Sequence, residues 1–327
     1  MTRRGRQRGS NEARRSGRPG AVGRSWRPLA AGLAALAILV GLGGVAAPSR
    51  ADEPEACVPR IDRASADQLR YQPFAPREIS GAVEIELSNS GDAACRLWLG
   101  IEAANGDRLA LEGPGGSITY RLRPRQGGFV DGPGPFARHL PIGIPPGRKQ
   151  TVTLAVEVAP GVVVAPGAYG DRLRLRLFAA DGSPRGSEEA AQLGLEVLPQ
   201  AQANIAGAQA SFGAGSSHGV IDFGTLETGK QRRAALQIRA NTDVRILVRS
   251  ENGGQMRHVG FPDLPAIHYS ARFDGSAVGL EGPFELFRRP PLTLGGGRYP
   301  LELTVGTVGN HFAGRYRDTL IFSIEPR

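Results

Sequence analysis

Cysteine, tryptophan and histidine are scarce in this sequence: two, two and five residues respectively among 327. The five histidines (139, 218, 258, 268 and 311) show no helical or hairpin ligand spacing, and two lone thiols without a nearby histidine make a poor ligand set. No metal or other cofactor is expected. No glycine-rich loop carries the lysine that cradles phosphate. Long apolar stretches of helical period are also few, whereas 46 Gly and 25 Pro punctuate the chain. That balance favours many short strands joined by turns. The length allows about two domains of ordinary size.

The formal net charge of +9 belongs to one end of the chain. Residues 1–50 hold ten Arg and one Glu, and the remainder balances at 30 basic and 30 acidic residues. The high pI therefore gives no support to nucleic-acid binding by the part that folds. After the basic start comes an apolar run from Leu29 to Ala47, then Ser49-Arg50-Ala51 with small residues where a signal peptidase reads. Residues 1–51 read as a leader, either a cleaved signal peptide or an uncleaved inner-membrane anchor, since the run approaches the ~20 residues that span a bilayer. Export is expected in both cases. Cys57 and Cys95 follow the leader, and in an oxidising compartment they most simply form one disulfide. Closing that loop is worth roughly 4 kcal/mol in the chain-entropy model.

One pattern is written twice. Gly314-Arg315-Tyr316-Arg317-Asp318-Thr319-Leu320-Ile321-Phe322-Ser323-Ile324 repeats Gly167-Ala168-Tyr169-Gly170-Asp171-Arg172-Leu173-Arg174-Leu175-Arg176-Leu177 as G-x-Y-x-D-x-L-x-(Leu/Phe)-x-(Leu/Ile). Alternation of this kind marks a half-buried strand. The segments ahead of it repeat in the same order. Ile85 and Leu87 are echoed by Leu236 and Ile238, Asn89 by Asn241, and Leu97 and Leu99 by Ile246 and Val248. Asn105-Gly106 corresponds to Asn252-Gly253, and Ile118-Thr119-Tyr120 to Ile267-His268-Tyr269. The separations drift only between about 147 and 152 residues, which is the mark of a duplication. The expected fold class is all-β, two tandem immunoglobulin-like β-sandwiches, over residues 52–199 and 200–327. Tyr169, Asp171, Tyr316 and Asp318 read as structural. Each Tyr anchors the loop before its strand through the hydroxyl, and each Asp caps the turn.

The copies part after the repeated strand. Leu193, Leu195 and Val197 alternate behind the first, whereas Glu325-Pro326-Arg327 follows the second. The first sandwich can close its own core; the second is expected to lack its last strand, unless the strand count is short by one. A missing strand leaves an apolar groove floored by Leu320, Phe322 and Ile324, with unpaired backbone groups along it. A strand from another chain is the physical remedy. No alternating extension stands between the leader and Cys57, so the protein is expected to accept a strand without offering one.

Val220-Ile221-Asp222-Phe223-Gly224-Thr225-Leu226, Ile238-Arg239-Ala240-Asn241, Val248-Arg249-Ser250-Glu251-Asn252-Gly253-Gly254 and Gly314-x-Tyr316-x-Asp318 together resemble the spore coat U domain. The first half is similar but more divergent, with the Cys pair and Gly167-x-Tyr169-x-Asp171 but without the Phe-Gly dipeptide. That family includes subunits of archaic chaperone–usher pili. For a two-domain member the resemblance implies a tip adhesin, with a binding domain first and a pilin domain completed by donor-strand exchange second. It implies a periplasmic chaperone, an usher and a strand-donating pilin as partners, passage through the periplasm, and a final place on the cell surface or fimbrium.

Other chemistry reads weakly. Gly215-Ser216-Ser217-His218-Gly219 fits G-x-S-x-G, but it precedes a strand in a Gly/Ser-rich stretch, whereas a nucleophile elbow needs strand–turn–helix. No enzyme is expected. For a binding surface the loop 126–147 offers Phe129, Val130, Phe136, Ile142 and Ile144 on a Gly/Pro frame. These residues either present an apolar surface to an unknown receptor or fold back over the core. Trp98, of opposite parity to Cys95, Leu97 and Leu99, is a second candidate. The alternative to a fibre subunit is a membrane-anchored or periplasmic ligand-binding sandwich that never polymerises.

Overall fold

The computed structural model describes residues 56–103, 106, 108–125, 138–206, 212–213 and 217–327, and all its regular structure is strand. The leader and the hairpin residue Asn105 lie outside the described residues. The first half contains β1 (Pro59–Ala66), β2 (Gln68–Tyr71), β3 (Ile79–Asn89), β4 (Cys95–Ala103), β5 (Ala110–Gly113), β6 (Gly116–Thr119), β7 (Arg121–Pro124), β8 (His139–Ile144), β9 (Lys149–Val158), β10 (Gly167–Phe178) and β11 (Pro184–Val197). The second contains β12 (Ala201–Ile205), β13 (Gln231–Ala240), β14 (Val244–Ser250), β15 (Gln255–His258), β16 (Ile267–Phe273), β17 (Ser276–Val278), β18 (Phe284–Arg288), β19 (Gly297–Val305), β20 (Tyr316–Arg317) and β21 (Leu320–Pro326).

Each half packs two sheets about its own core. In the first, a sheet ordered β1-β3-β9-β7 faces one ordered β2-β11-β10-β4-β8, with the β5–β6 hairpin attached to β10. Alternation along the strands supplies the inward faces. Val83, Ile85 and Leu87 of β3, Leu97, Leu99 and Ile101 of β4, and Leu173, Leu175 and Leu177 of β10 all join one buried cluster. A fully buried aliphatic side chain of this size contributes about 1.5–3 kcal/mol. In the second half, β12-β13-β19-β16-β15-β20 faces the three-stranded β18-β14-β21. Its core gathers Ile238, Ile246, Val248, Phe273 and Leu303, among others.

Cys57 and Cys95 form a disulfide with Cα atoms 5.1 Å apart, tying the segment before β1 to the start of β4. The duplicated pairing is exact in register but differs by two residues from the match made by counting along the sequence. Leu173, Leu175 and Leu177 pair with Ala103, Ile101 and Leu99, while Leu320, Phe322 and Ile324 pair with Ser250, Val248 and Ile246. Ile246 and Val248 therefore stand where Leu99 and Ile101 stand. The cause is the connection after the buried asparagine, which is shorter in the second half: Asn241 lies closer to β14 than Asn89 does to β4.

Candidate functional site

The repeated strand has two different surroundings. In the first half β10 lies between β4 and β11, antiparallel to both. In the second, β21 pairs with β14 and β20 with β15, and among the described residues no strand pairs with the opposite edge of either. Burial follows pairing. Leu173, Leu175 and Leu177 are at most 1% exposed, whereas Leu320, Phe322 and Ile324 are only partly buried against the second core. Phe322 contacts Phe273 with ring centroids 5.8 Å apart. β12 approaches β21 without pairing to it. The result is an apolar trough whose backbone donors and acceptors face outward, a surface that can take an added strand.

The G-x-Y-x-D positions frame the start of this edge. The Tyr169 hydroxyl donates to the Ala165 carbonyl at 2.8 Å and accepts from the Gly115 amide at 2.9 Å. The Tyr316 hydroxyl donates to the Phe312 carbonyl at 3.0 Å, again four residues back. Neither Asp acts as a simple turn cap. The Asp171 carboxylate accepts from the Tyr120 hydroxyl at 2.7 Å and from the Arg172 amide at 2.8 Å. The Asp318 carboxylate accepts from the Tyr269 hydroxyl at 2.6 Å, the Ser250 hydroxyl at 2.5 Å, and the backbone and side-chain nitrogens of Asn252 at 3.0 and 2.9 Å. Burial, with the carboxylate as a second cause, pushes the Tyr120 and Tyr269 phenols far above their usual value. Both hydroxyls are thus held as donors. These clusters tie each repeated strand to the rest of its own half.

The candidate receptor residues are divided. Ile142 and Ile144 are 7% and 1% exposed on β8 and belong to the first core, so they offer no surface. Phe129, Val130 and Phe136 lie outside the described residues. Trp98 is 42% exposed on β4, paired across to Phe178 and Pro141. Beside it, two arginines of β10 are matched by acids: Arg174 pairs with Glu102 at 3.2 Å, and Arg176 with Glu188. Sequence reasoning missed a further apolar group, Val259, Phe261 and Phe312, which are about 60% exposed around His258 and Tyr316. An aromatic residue inside Gly260-Phe261-Pro262 was the available signal, because such a turn has no core side to receive it.

Ser217 accepts a hydrogen bond from the Ile205 amide at 3.3 Å, and there is no helix among the described residues to build a nucleophile elbow. Among the described residues no group of three His, Cys, Asp or Glu side chains could hold a metal ion.

No family model and no curated protein matches the chain. Among solved structures it is similar to a chain of the CsuC–CsuE chaperone–tip adhesion subunit pre-assembly complex from the archaic Csu pili of Acinetobacter baumannii, with 14% identity and a TM-score of 0.43 over 83% of this chain and 100% of that one. It is also similar to the CupB6 tip adhesin of Pseudomonas aeruginosa (11% identity, TM-score 0.34, 83% and 93% covered). A third similar structure is CfaE, the adhesive subunit of CFA/I fimbria of enterotoxigenic Escherichia coli (9% identity, TM-score 0.37, 80% and 92% covered).

Proposed function

We propose that this protein is a non-enzymatic adhesive subunit of a surface fibre assembled by strand exchange. Residues 52–199 serve as the binding domain, and residues 200–327 as the domain that a strand from another subunit completes. One observation carries the reading: among the described residues of a duplicated fold, the same strand is paired on both edges in one copy and on one edge in the other. An open edge beside half-buried Leu320, Phe322 and Ile324 is an aggregation hazard for an exported protein. A periplasmic chaperone would cover it before an usher delivers the subunit to a strand-donating pilin. The leader's basic start, apolar run and small-residue site support export. On the binding half, Trp98, 42% exposed on β4, would be the receptor-facing residue.

The test is amide hydrogen exchange on the chain isolated from host envelopes and on the chain refolded alone. Strand exchange predicts slow exchange at Leu320–Ile324 in the isolated form and fast exchange there in the refolded form, with Leu173–Leu177 slow in both. An isolated chain that is monomeric, with the β21 edge open, would overturn the fibre reading in favour of a non-polymerising periplasmic protein.

A further inference from the structure

The first sandwich contains a filled version of the edge that the second leaves open. In β10, Gly167, Tyr169, Asp171 and Leu173 pair with Val197, Leu195, Leu193 and Ala191 of β11. The corresponding residues of the second half are Gly314, Tyr316, Asp318 and Leu320, the same residue types at all four positions. Their supports repeat as well. Both glycines take positive φ, 138° and 153°. Both tyrosine hydroxyls donate to the carbonyl four residues back. Both aspartates accept a tyrosine hydroxyl from elsewhere in their own half. Across the sheet, Leu173 faces Ala103 and Leu320 faces Ser250, so the neighbour stays small.

Surfaces that match in side chain, backbone and support accept the same occupant. Ala191, Leu193, Leu195 and Val197 are at most 1% exposed, so each fills its place completely. The likeness stops after Leu320, where Phe322 stands for Leu175 and Ile324 for Leu177. β11 also turns polar there, since the half-buried Glu189 stands opposite Leu175. The shared requirement is therefore confined to four inward positions.

Building on the strand-exchange reading, we infer that the second sandwich takes an antiparallel strand of pattern Ala-x-Leu-x-Leu-x-Val. Its Ala lies opposite Leu320, its two Leu opposite Asp318 and Tyr316, and its Val opposite Gly314. The chain's own β11 sequence is a sufficient stand-in for it. A polar side chain opposite Asp318 would compete for the carboxylate that holds Tyr269. A residue larger than Ala opposite Leu320 would overfill a site sized for a methyl group. The intervening positions point outward and are free to be polar.

The probe is a labelled synthetic peptide of Glu188–Leu198 added to the full chain, in which both native cysteines are already paired. Because Gln192 pairs with Arg172 and Gly194 with Gly170, the inferred register puts those peptide positions opposite Thr319 and Arg317. The expected result is that Q192C peptide traps T319C chain, and G194C peptide traps R317C chain, each at least about tenfold faster than the crossed combinations. A peptide with both Leu193→Asn and Leu195→Asn should bind at least about a hundredfold more weakly, because two buried leucine contacts are lost. Equal trapping in matched and crossed combinations, or indifference to the Asn changes, overturns the inference. A peptide of alternating Val and Thr separates the two failures by exchange at the β21 amides. If it protects them and the β11 peptide does not, the pattern is wrong while strand exchange stands. If neither protects them, the open-edge reading itself fails.

Discussion

Asp171 and Asp318 perform the same chemistry at different depths, and the difference is measurable. Asp171 is 4% exposed and receives the buried Tyr120 hydroxyl, so Asp171→Ala leaves that donor without a partner or water. A loss of about 2–3 kcal/mol is expected from the urea midpoint at neutral pH. Asp318 receives more hydrogen bonds, but water reaches its surroundings while the β21 edge is open. Asp318→Ala should cost less in the free chain, and the gap should close once a strand covers the edge. Ionisation gives a second prediction. Tyr120 and Tyr269 are raised by burial and then by their aspartates, against an unfolded value near 10. The stability they contribute is fully present below about pH 10 and is lost as pH climbs from there toward the raised folded values, because the unfolded chain releases the proton first. Urea midpoints should hold up to about pH 10 and fall above it, and Tyr120→Phe with Tyr269→Phe should flatten the fall.

Gly314 joins the residue scale to the element scale. Its φ of 153° is one that side-chained residues rarely adopt, and an added Cβ would overlap the His258 imidazole. Gly314→Ala is expected to cost about 2 kcal/mol or more and to disturb β20 against β15, visible as faster exchange at Tyr316 and Arg317. Strand alternation and the duplication were legible in the sequence because period-2 burial writes itself directly into residue type, as at Leu173, Leu175 and Leu177. The closing strand of the first copy was legible too, since Leu193, Leu195 and Val197 alternate behind it and form part of β11. Register was not legible to the residue. The shortened connection after Asn241 moved Ile246 and Val248 by two positions, and a turn's length leaves no mark on the residues that flank it. Ile142 and Ile144 sat among glycines and prolines that suggested a surface loop, yet pairing of β8 with β4 draws both into the core. The Asp318 cluster was hidden for a similar reason: it joins Ser250, Asn252 and Tyr269, which only the fold brings together.

For the whole molecule, the decisive feature is the join between the halves. β11 ends at Val197 and β12 begins at Ala201, which leaves a very short connector pinned from both sides. The Leu198 amide donates to the Tyr71 carbonyl at 3.0 Å, on the first half. From the second half, buried Asn241 donates to the Leu198 carbonyl at 2.9 Å and accepts from the Gln200 amide at 2.7 Å. The Arg239 guanidinium sits 4.7 Å over the Phe74 ring, and Gln200 Oε1 accepts from the Phe74 amide at 3.4 Å. Asn89 is the counterpart of Asn241 and accepts from the Val58 amide at 3.1 Å, so a device that anchors an incoming chain within the first sandwich has become the clasp between two. A strand antiparallel to β21 ends beside Gly314, at the far end of the second sandwich from this clasp. Load on a borrowed strand would therefore cross the second sandwich and the clasp before reaching Trp98. Asn241→Ala orphans one half-buried donor and one half-buried acceptor, for an expected cost of about 1–2 kcal/mol. Two readouts separate a loosened joint from general damage. Small-angle scattering should show a broader distribution of distances between the halves, while exchange at Leu173–Leu177 stays slow. If Asn241→Ala leaves the scattering unchanged and only lowers the melting temperature, the connector is held by Arg239 and Phe74 instead, and the clasp role passes to them.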